Sequence, residues 1–185
     1  MGRTKKFSRD EVLKAAMPVF WNKGFADTSM YDLEVATKVK KSGLYSEFKD
    51  KDDLFTESLK FYFQNVPTVK ILTAEPLGLK NIENLFRFIV ETTGTECKGC
   101  FGINSLREVD ILPKRANQVL DKAFSGLKKL FTLNLRAHGS KLPINMAADF
   151  IFTHFLGFCI ETNLTKPEPA LIKEVNSIVK ILQRL

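Results

Sequence analysis

TSMYDLEVATKVKKSGLYSEF, residues 28–48, is the stretch on which the fold is decided. Ser29-Met30-Tyr31-Asp32 is a capping-box pattern, in which a side-chain oxygen accepts from a free first-turn N–H and the acid three residues on reaches back. It opens a short helix carrying Leu33 and Ala36. The pattern breaks near Thr37-Lys38, Val39 reads as a buried plug in the turn, and a second short helix runs from Lys41 to Phe48. Leu44 and Phe48 are four apart and share an inward face, while Lys38, Lys40, Lys41, Ser42, Ser46 and Lys49 are polar or basic. Two short helices joined by a turn of three or four residues form a helix-turn-helix unit, whose second helix presents small polar and basic residues to a DNA groove.

The flanks extend this head. Ser8-Arg9-Asp10-Glu11 is another capping box, followed by Val12, Ala16, Val19 and Phe20 at helical spacing and a stop at Gly24. This predicts a helix over 9–23, with Pro18 expected to kink it or to cost it a hydrogen bond. Asp50 is placed to cap the next helix, which holds Leu54, Phe55, Leu59, Tyr62 and Phe63. Further helices are expected near 79–93, 100–112, 114–137, 143–163 and 168–184, between Pro and Gly punctuation. Strand-like alternation is nowhere sustained, so the predicted class is all-α.

The 185 residues carry a formal charge of +7, and an anionic partner suits that balance. No apolar run reaches the roughly 18 residues that span a bilayer, and the polar start lacks the apolar stretch of a secretory signal. With three cysteines, an odd number, a reducing cytoplasm is expected rather than a disulfide framework. No cofactor and no metal are expected. Cys97-Lys98-Gly99-Cys100 is a lone C-x-x-C pair without the βαβ context of a thiol–disulfide oxidoreductase, so an enzyme is not expected. Sixteen Phe, among them Phe61, Phe63, Phe86, Phe88, Phe101, Phe124, Phe131, Phe152, Phe155 and Phe158 on the body helices, make an aromatic-lined cavity for an apolar ligand an open alternative to plain core packing.

Phe20-Trp21-Asn22-Lys23-Gly24-Phe25, Thr28 to Leu33, Ala36, Val39, Ser42-Gly43-Leu44-Tyr45, Phe48, Lys51 and Leu54-Phe55 together resemble the TetR/AcrR family of repressors over nearly all of residues 8–55. The resemblance implies about nine helices: a three-helix DNA-binding head, residues 1–50, and a helical ligand-binding and dimerisation bundle, residues 51–185. It implies a homodimer on a palindromic operator, released by a small apolar or aromatic effector. Carried over by position, Lys41, Ser42 and Tyr45 are recognition-helix contacts, with Lys38, Lys40, Gly43 and Ser46 on the same surface. Thr28 and Tyr31 stand at phosphate-touching positions, and Lys51 at a backbone-clamping one. Gly43 is read as letting the backbone approach the duplex, and Arg3, Lys5 and Lys6 as an arm following the phosphates.

The chain departs from the family's pattern at Lys38, where the turn usually has Gly, at Lys40, where a Ser or Thr cap is usual, and at Glu34 and Glu47. Glu47 is read as an acid on the recognition helix, able to accept from a cytosine amine. For the effector the expected lining is Phe61, Phe86, Phe101, Asn104, Phe124 and Phe155, with Arg107, Thr153, His154 and Asn163 as further polar groups. The dimer face is placed on the last two helices, through Ala147, Ala148, Ile151, Phe155, Phe158 and Cys159 and through Leu171, Val175, Ile178, Ile181 and Leu182. Two other readings stay open: a thiol- or metal-responsive regulator using Cys97 and Cys100, and a DNA-bound interaction protein.

Overall fold

The computed structural model describes residues 7–92, 99–139, 142–164 and 166–184. Among them the chain is all-helical: α1 (Arg9–Lys23), α2 (Met30–Thr37), α3 (Lys41–Glu47), α4 (Lys51–Asn65), α5 (Thr68–Leu72), α6 (Leu79–Thr92), α7 (Phe101–Ser105), a 3-10 turn (Leu106–Glu108), α8 (Lys114–His138), α9 (Ile144–Glu161) and α10 (Glu168–Leu182). The chain divides into two compact units. The first comprises residues 1–65 and 104–121, the second 66–103 and 122–185. Packing therefore groups α4 and a late segment with the head, whereas the functional boundary expected from sequence falls at residue 50.

In the first unit the caps form as the sequence dictates. Ser8 and Glu11 close a reciprocal box on α1, and Ser29 and Asp32 do the same on α2. The Asp50 carboxylate accepts from Asp53 N–H at 2.8 Å and starts α4. α1 runs unbroken through Pro18. It packs against α2 and α4, and α2 against α3. The core holds Phe20 edge-on to Phe55 at 5.1 Å, with Phe25 tilted against Phe55 at 5.0 Å and Trp21 edge-on to Tyr62 at 5.0 Å. Leu33, Leu44 and Phe48 are buried with them.

The segment expected as one helix over 100–112 is broken. α7 gives way to the 3-10 turn at Leu106, and Ile111 and Leu112 N–H both return to the Glu108 carbonyl. Pro113 disfavours helical geometry at Leu112 and closes off the helix there. The turn α5 after Pro67 was not foreseen.

In the second unit α5 and α10 pack on α6. The interior is aromatic: Phe86 lies edge-on to Phe155 at 5.7 Å and to Phe158 at 5.2 Å, and Phe131 to Phe155 at 5.9 Å. One polar network sits inside it. Asn134, fully buried, accepts through Oδ1 from Gly78 N–H (2.9 Å) and Asn81 Nδ2 (3.0 Å), and donates to the Leu72 (2.8 Å) and Leu130 (3.0 Å) carbonyls. It thereby satisfies backbone groups from the 72–78 turn that no helix ladder reaches.

The apolar stripes expected to form a dimer face are instead core. Ala147, Ala148, Ile151, Phe155, Phe158 and Cys159, and likewise Leu171, Val175, Ile178 and Leu182, are buried within the unit. Of the residues named for that face, Ile181 is exposed. α9 is apolar on its other side as well, where Met146, Phe150 and Ile160 are exposed, as is Leu164 just beyond it. With 18 residues and a mean hydropathy of 1.2 it is long and apolar enough, by length and composition, to cross a membrane, which corrects the expectation that no stretch is; 33% of that window is buried in the unit.

Two outcomes follow. Asn134→Leu strands several buried backbone groups and lowers unfolding stability by roughly 2–4 kcal/mol, measurable by denaturant titration. Burial and the hydrogen-bonded neighbour Glu161 push the Glu174 carboxyl up to about 7, against the pull of Lys166. A carboxyl raised on folding takes up a proton, so its contribution is fully present below its unfolded value of about 4.5 and is lost as pH rises through about 7. Thermal midpoints across pH 5 to 8 accordingly fall less for Glu174→Gln than for the parent chain.

Candidate nucleic-acid interface

The α2–α3 surface is built by a short chain reversal. α2 ends at Lys38, which takes a left-handed conformation (φ 56°, ψ 21°). A β-carbon there costs about 1–2 kcal/mol relative to glycine-like freedom. Val39 is then buried, and Lys40 stands at the N-cap of α3 without a side-chain cap bond. Thr37 Oγ1 steadies the turn, accepting from Val39 N–H at 3.3 Å. α3 is seven residues long and is held by burying Leu44 and Phe48. The Arg9 guanidinium lies 4.2 Å over the Phe48 ring.

This geometry sorts the expected residues. Lys38, Lys40, Lys41, Ser42, Tyr45 and Ser46 are all exposed, as are Lys49 and Tyr31, the last at 74%. Lys41 Nζ lies 5.8 Å over the Tyr45 ring, and Ser46 Oγ donates to the Gly43 carbonyl at 2.7 Å. The result is one outward row of cations and hydroxyls with an aromatic ring among them, which is the side-chain chemistry that meets phosphates and base edges.

Three expected residues have other work. Thr28 is buried and its hydroxyl donates to the Gly24 carbonyl at 2.6 Å. Lys51 Nζ donates to the Phe25 (2.9 Å) and Thr28 (3.1 Å) carbonyls and sits 4.4 Å over the Phe25 ring. Gly43 is half-buried, and a Cβ there would come within 2.8 Å of Val39 Cγ1 and 3.4 Å of the Phe7 ring. Its small size thus also makes room for the turn plug. Glu47 is half-buried on the Gly43 side of α3, off the exposed row of Lys41, Ser42 and Tyr45, which corrects its reading as a base-facing acid. Arg3, Lys5 and Lys6 lie outside the described residues.

Between α1 and α2, the Lys23 ammonium bonds Asp32 at 2.6 Å, and Asp32 also accepts from Ser29 N–H and Oγ. The Lys23 hydrogen bond first, then those from Ser29, hold the Asp32 carboxyl down to about 2. The sequence showed the Ser29–Asp32 box but gave no sign of the ion pair from the preceding helix.

The residues expected to line an effector site fall in both units. Phe61 and Asn104 belong to the first unit, and Phe86, Phe101, Phe124 and Phe155 to the second. Phe86, Phe101 and Phe155 are packed core, and Phe124 meets Phe152 at 6.1 Å. The second unit has an open cleft of about 520 Å³ elsewhere, lined by Phe150, Thr153, His154, Gly157, Ile160 and Leu164 with Glu161 and Glu174 at its polar end. Thr153 and His154 were the polar groups legible in advance. His154 stacks with Phe150 at 6.2 Å, its buried Nε2 lacks a hydrogen-bond partner, and burial pushes its pKa down. Cys100 and Cys159 are both buried, and burial raises the Cys159 thiol further from the reactive thiolate. Cys97 lies outside the described residues.

Comparison with known proteins bears on the same surface. The family model described as bacterial regulatory proteins, tetR family, matches residues 12–57, which take in α2, α3 and the start of α4. The HTH-type transcriptional repressor ComR of Escherichia coli (strain K12) is 34% identical over 109 residues, covering 56% of this chain and 52% of that protein. The chain thus spans about half the length of the curated relatives it matches. A TetR-family regulator from Agrobacterium tumefaciens superposes with a TM-score of 0.83 at 15% identity, covering 95% of this chain and 96% of that one. A cysteine mutant of the TetR-family regulator CifR, complexed with 26bp double-strand operator DNA, gives 0.80 at 21% identity, covering 96% and 98%. The chain is thus similar to the tetR family of bacterial regulators from Val12 to Glu57, and its all-helical fold is similar to that of TetR-family structures along nearly the whole chain.

Proposed function

We propose that this chain represses transcription by binding a palindromic operator as a homodimer, with Lys41, Ser42 and Tyr45 reading the major groove and Lys38, Lys40, Lys49 and Tyr31 flanking them on the phosphates. The observation that carries the reading is the exposed row on α2–α3 over a fully buried Leu44–Phe48 face. A basic, hydroxyl-bearing surface on an otherwise rigid helix pair suits duplex DNA. The printed names of the relatives, a repressor and an operator-bound regulator among them, support the same assignment.

Homodimerisation is supported by α9, which buries one side in its own unit and leaves Met146, Phe150 and Ile160 exposed on another. Large apolar side chains left exposed on a second face of a helix favour cover by a partner. With α10 it would supply two helices to a four-helix seam. A small apolar or aromatic effector is the expected release signal. It would act by binding more tightly to the body conformation that misplaces the heads. Since Phe86, Phe131, Phe155 and Phe158 are packed ring against ring, such a ligand either opens that cluster or uses the α9 cleft. The protein is expected to act in the cytoplasm.

The test is duplex binding to the DNA upstream of its own and neighbouring genes, followed by a variant series. Lys41→Ala and Tyr45→Ala each weaken binding about 10- to 100-fold in a fluorescence-anisotropy titration, with two chains bound per duplex. Lys38→Gly separates the two demands on the turn. It raises unfolding stability by about 1 kcal/mol by relieving the left-handed conformation, while binding weakens and the salt slope flattens through loss of a phosphate contact. Unchanged binding in both Lys41→Ala and Tyr45→Ala would remove α3 from the interface.

A further inference from the structure

Gly24 to Thr28 joins α1 to α2, and its peptide groups are gripped from both sides by charges. On one side the Glu108 carboxylate accepts from two successive N–H groups, Phe25 to Oε2 at 2.6 Å and Ala26 to Oε1 at 2.8 Å. On the other side Lys51 Nζ donates to the Phe25 and Thr28 carbonyls and lies over the Phe25 ring. The Phe25 residue thus has its N–H on an anion and its C=O on a cation. Charge-assisted bonds of this kind are about twice as strong as neutral ones, and successive N–H groups make a ready anion cradle. Gly24 is shaped by the same contact. Its φ of +87° favours glycine, and a Cβ there would sit 2.6 Å from Glu108 Oε2 and 3.1 Å from its Cδ.

Glu108 comes 83 residues after Phe25. It belongs to residues 104–121, which pack in the first unit although the chain on either side, 66–103 and 122–185, forms the second. That segment has another charged tie to the head: Arg115 bonds Asp53 at 3.0 Å and approaches Glu57 at 3.7 Å on α4.

We propose that Glu108 is a positioning residue for DNA binding. Paired with Lys51, it clamps the α1–α2 turn and so sets the placement of the α2–α3 surface. The proposal rests on the DNA-reading assignment above. It moves Lys51 from a phosphate contact to the inner half of the clamp.

The test uses the full chain with Glu108→Ala, Glu108→Gln and Lys51→Met. In the free protein, amide exchange at Phe25 and Ala26 accelerates about tenfold or more in Glu108→Ala and less in Glu108→Gln, which keeps one acceptor, while Leu59 in α4 is unchanged. On a duplex that the parent chain binds, Glu108→Ala weakens affinity about five- to tenfold with the slope of log affinity against log salt unaltered, because no phosphate contact is removed. Glu108→Gln recovers part of the loss. The Glu108→Ala/Lys51→Met pair loses less than the sum of its members, as coupled groups do. Affinity within about twofold of the parent for a folded Glu108→Ala, or strict additivity with Lys51→Met, overturns the proposal. A flattened salt slope in Lys51→Met overturns the reassignment of Lys51. Should Glu108→Ala not fold, Glu108→Gln decides on the same readouts. A parent chain that binds no duplex sinks the DNA reading itself, and the exchange rates at Phe25 and Ala26 then judge the clamp alone.

Discussion

Burial of Leu44 and Phe48 is the constraint on which the exposed α2–α3 surface, proposed to meet DNA, depends. α3 has seven residues and no side-chain cap, well below the roughly 12–15 residues at which an isolated helix becomes even marginal in water. Its existence is tertiary. Fully burying a Leu or a Phe is worth about 1.5–3 kcal/mol, and the two together offset the nucleation cost that a short helix cannot recover alone. Because the inner face carries the stability, the outer face is free to be Lys41, Ser42 and Tyr45, the residues proposed to meet DNA. The aromatic core of Phe20, Phe25 and Phe55 is the base on which this arrangement stands.

The same surface shows where stability was given up. Lys38 occupies a left-handed position where glycine would be at ease, and Lys40 occupies a cap position where an oxygen would satisfy a free N–H. Both changes put positive charge beside the outward row. Gly43 departs in the other direction: its lack of a side chain answers to Val39 beneath it. Read together, the three positions separate a turn tuned for charge from a helix start tuned for packing.

What was legible in the sequence was local. The boxes at Ser8–Glu11 and Ser29–Asp32 and the Asp50 cap depend on residues three apart, and all three form. The inward Leu44–Phe48 pair follows from helical spacing alone. The departures came from contacts between distant segments. Thr28 and Lys51 bond backbone carbonyls that only the folded turn brings to them, and Glu108 reaches that turn from far along the chain. α9 misled for a different reason. Helical spacing grouped Ala147, Ile151 and Phe155 on one face apart from Phe150 and Ile160, but it could not say that this face packs within its own unit. A count of Phe side chains likewise does not separate packed rings from rings around a cavity.

The central claim is that α3, presented by its buried side, is the surface that meets DNA. Amide chemical-shift mapping of the full chain titrated with its bound upstream duplex tests it most directly. The account predicts that perturbations concentrate at Tyr31 and at residues 38–46, leaving the amides of Asn134 and of the α10 core at Val175 in place. Perturbations absent from 38–46 and centred on another surface would contradict it.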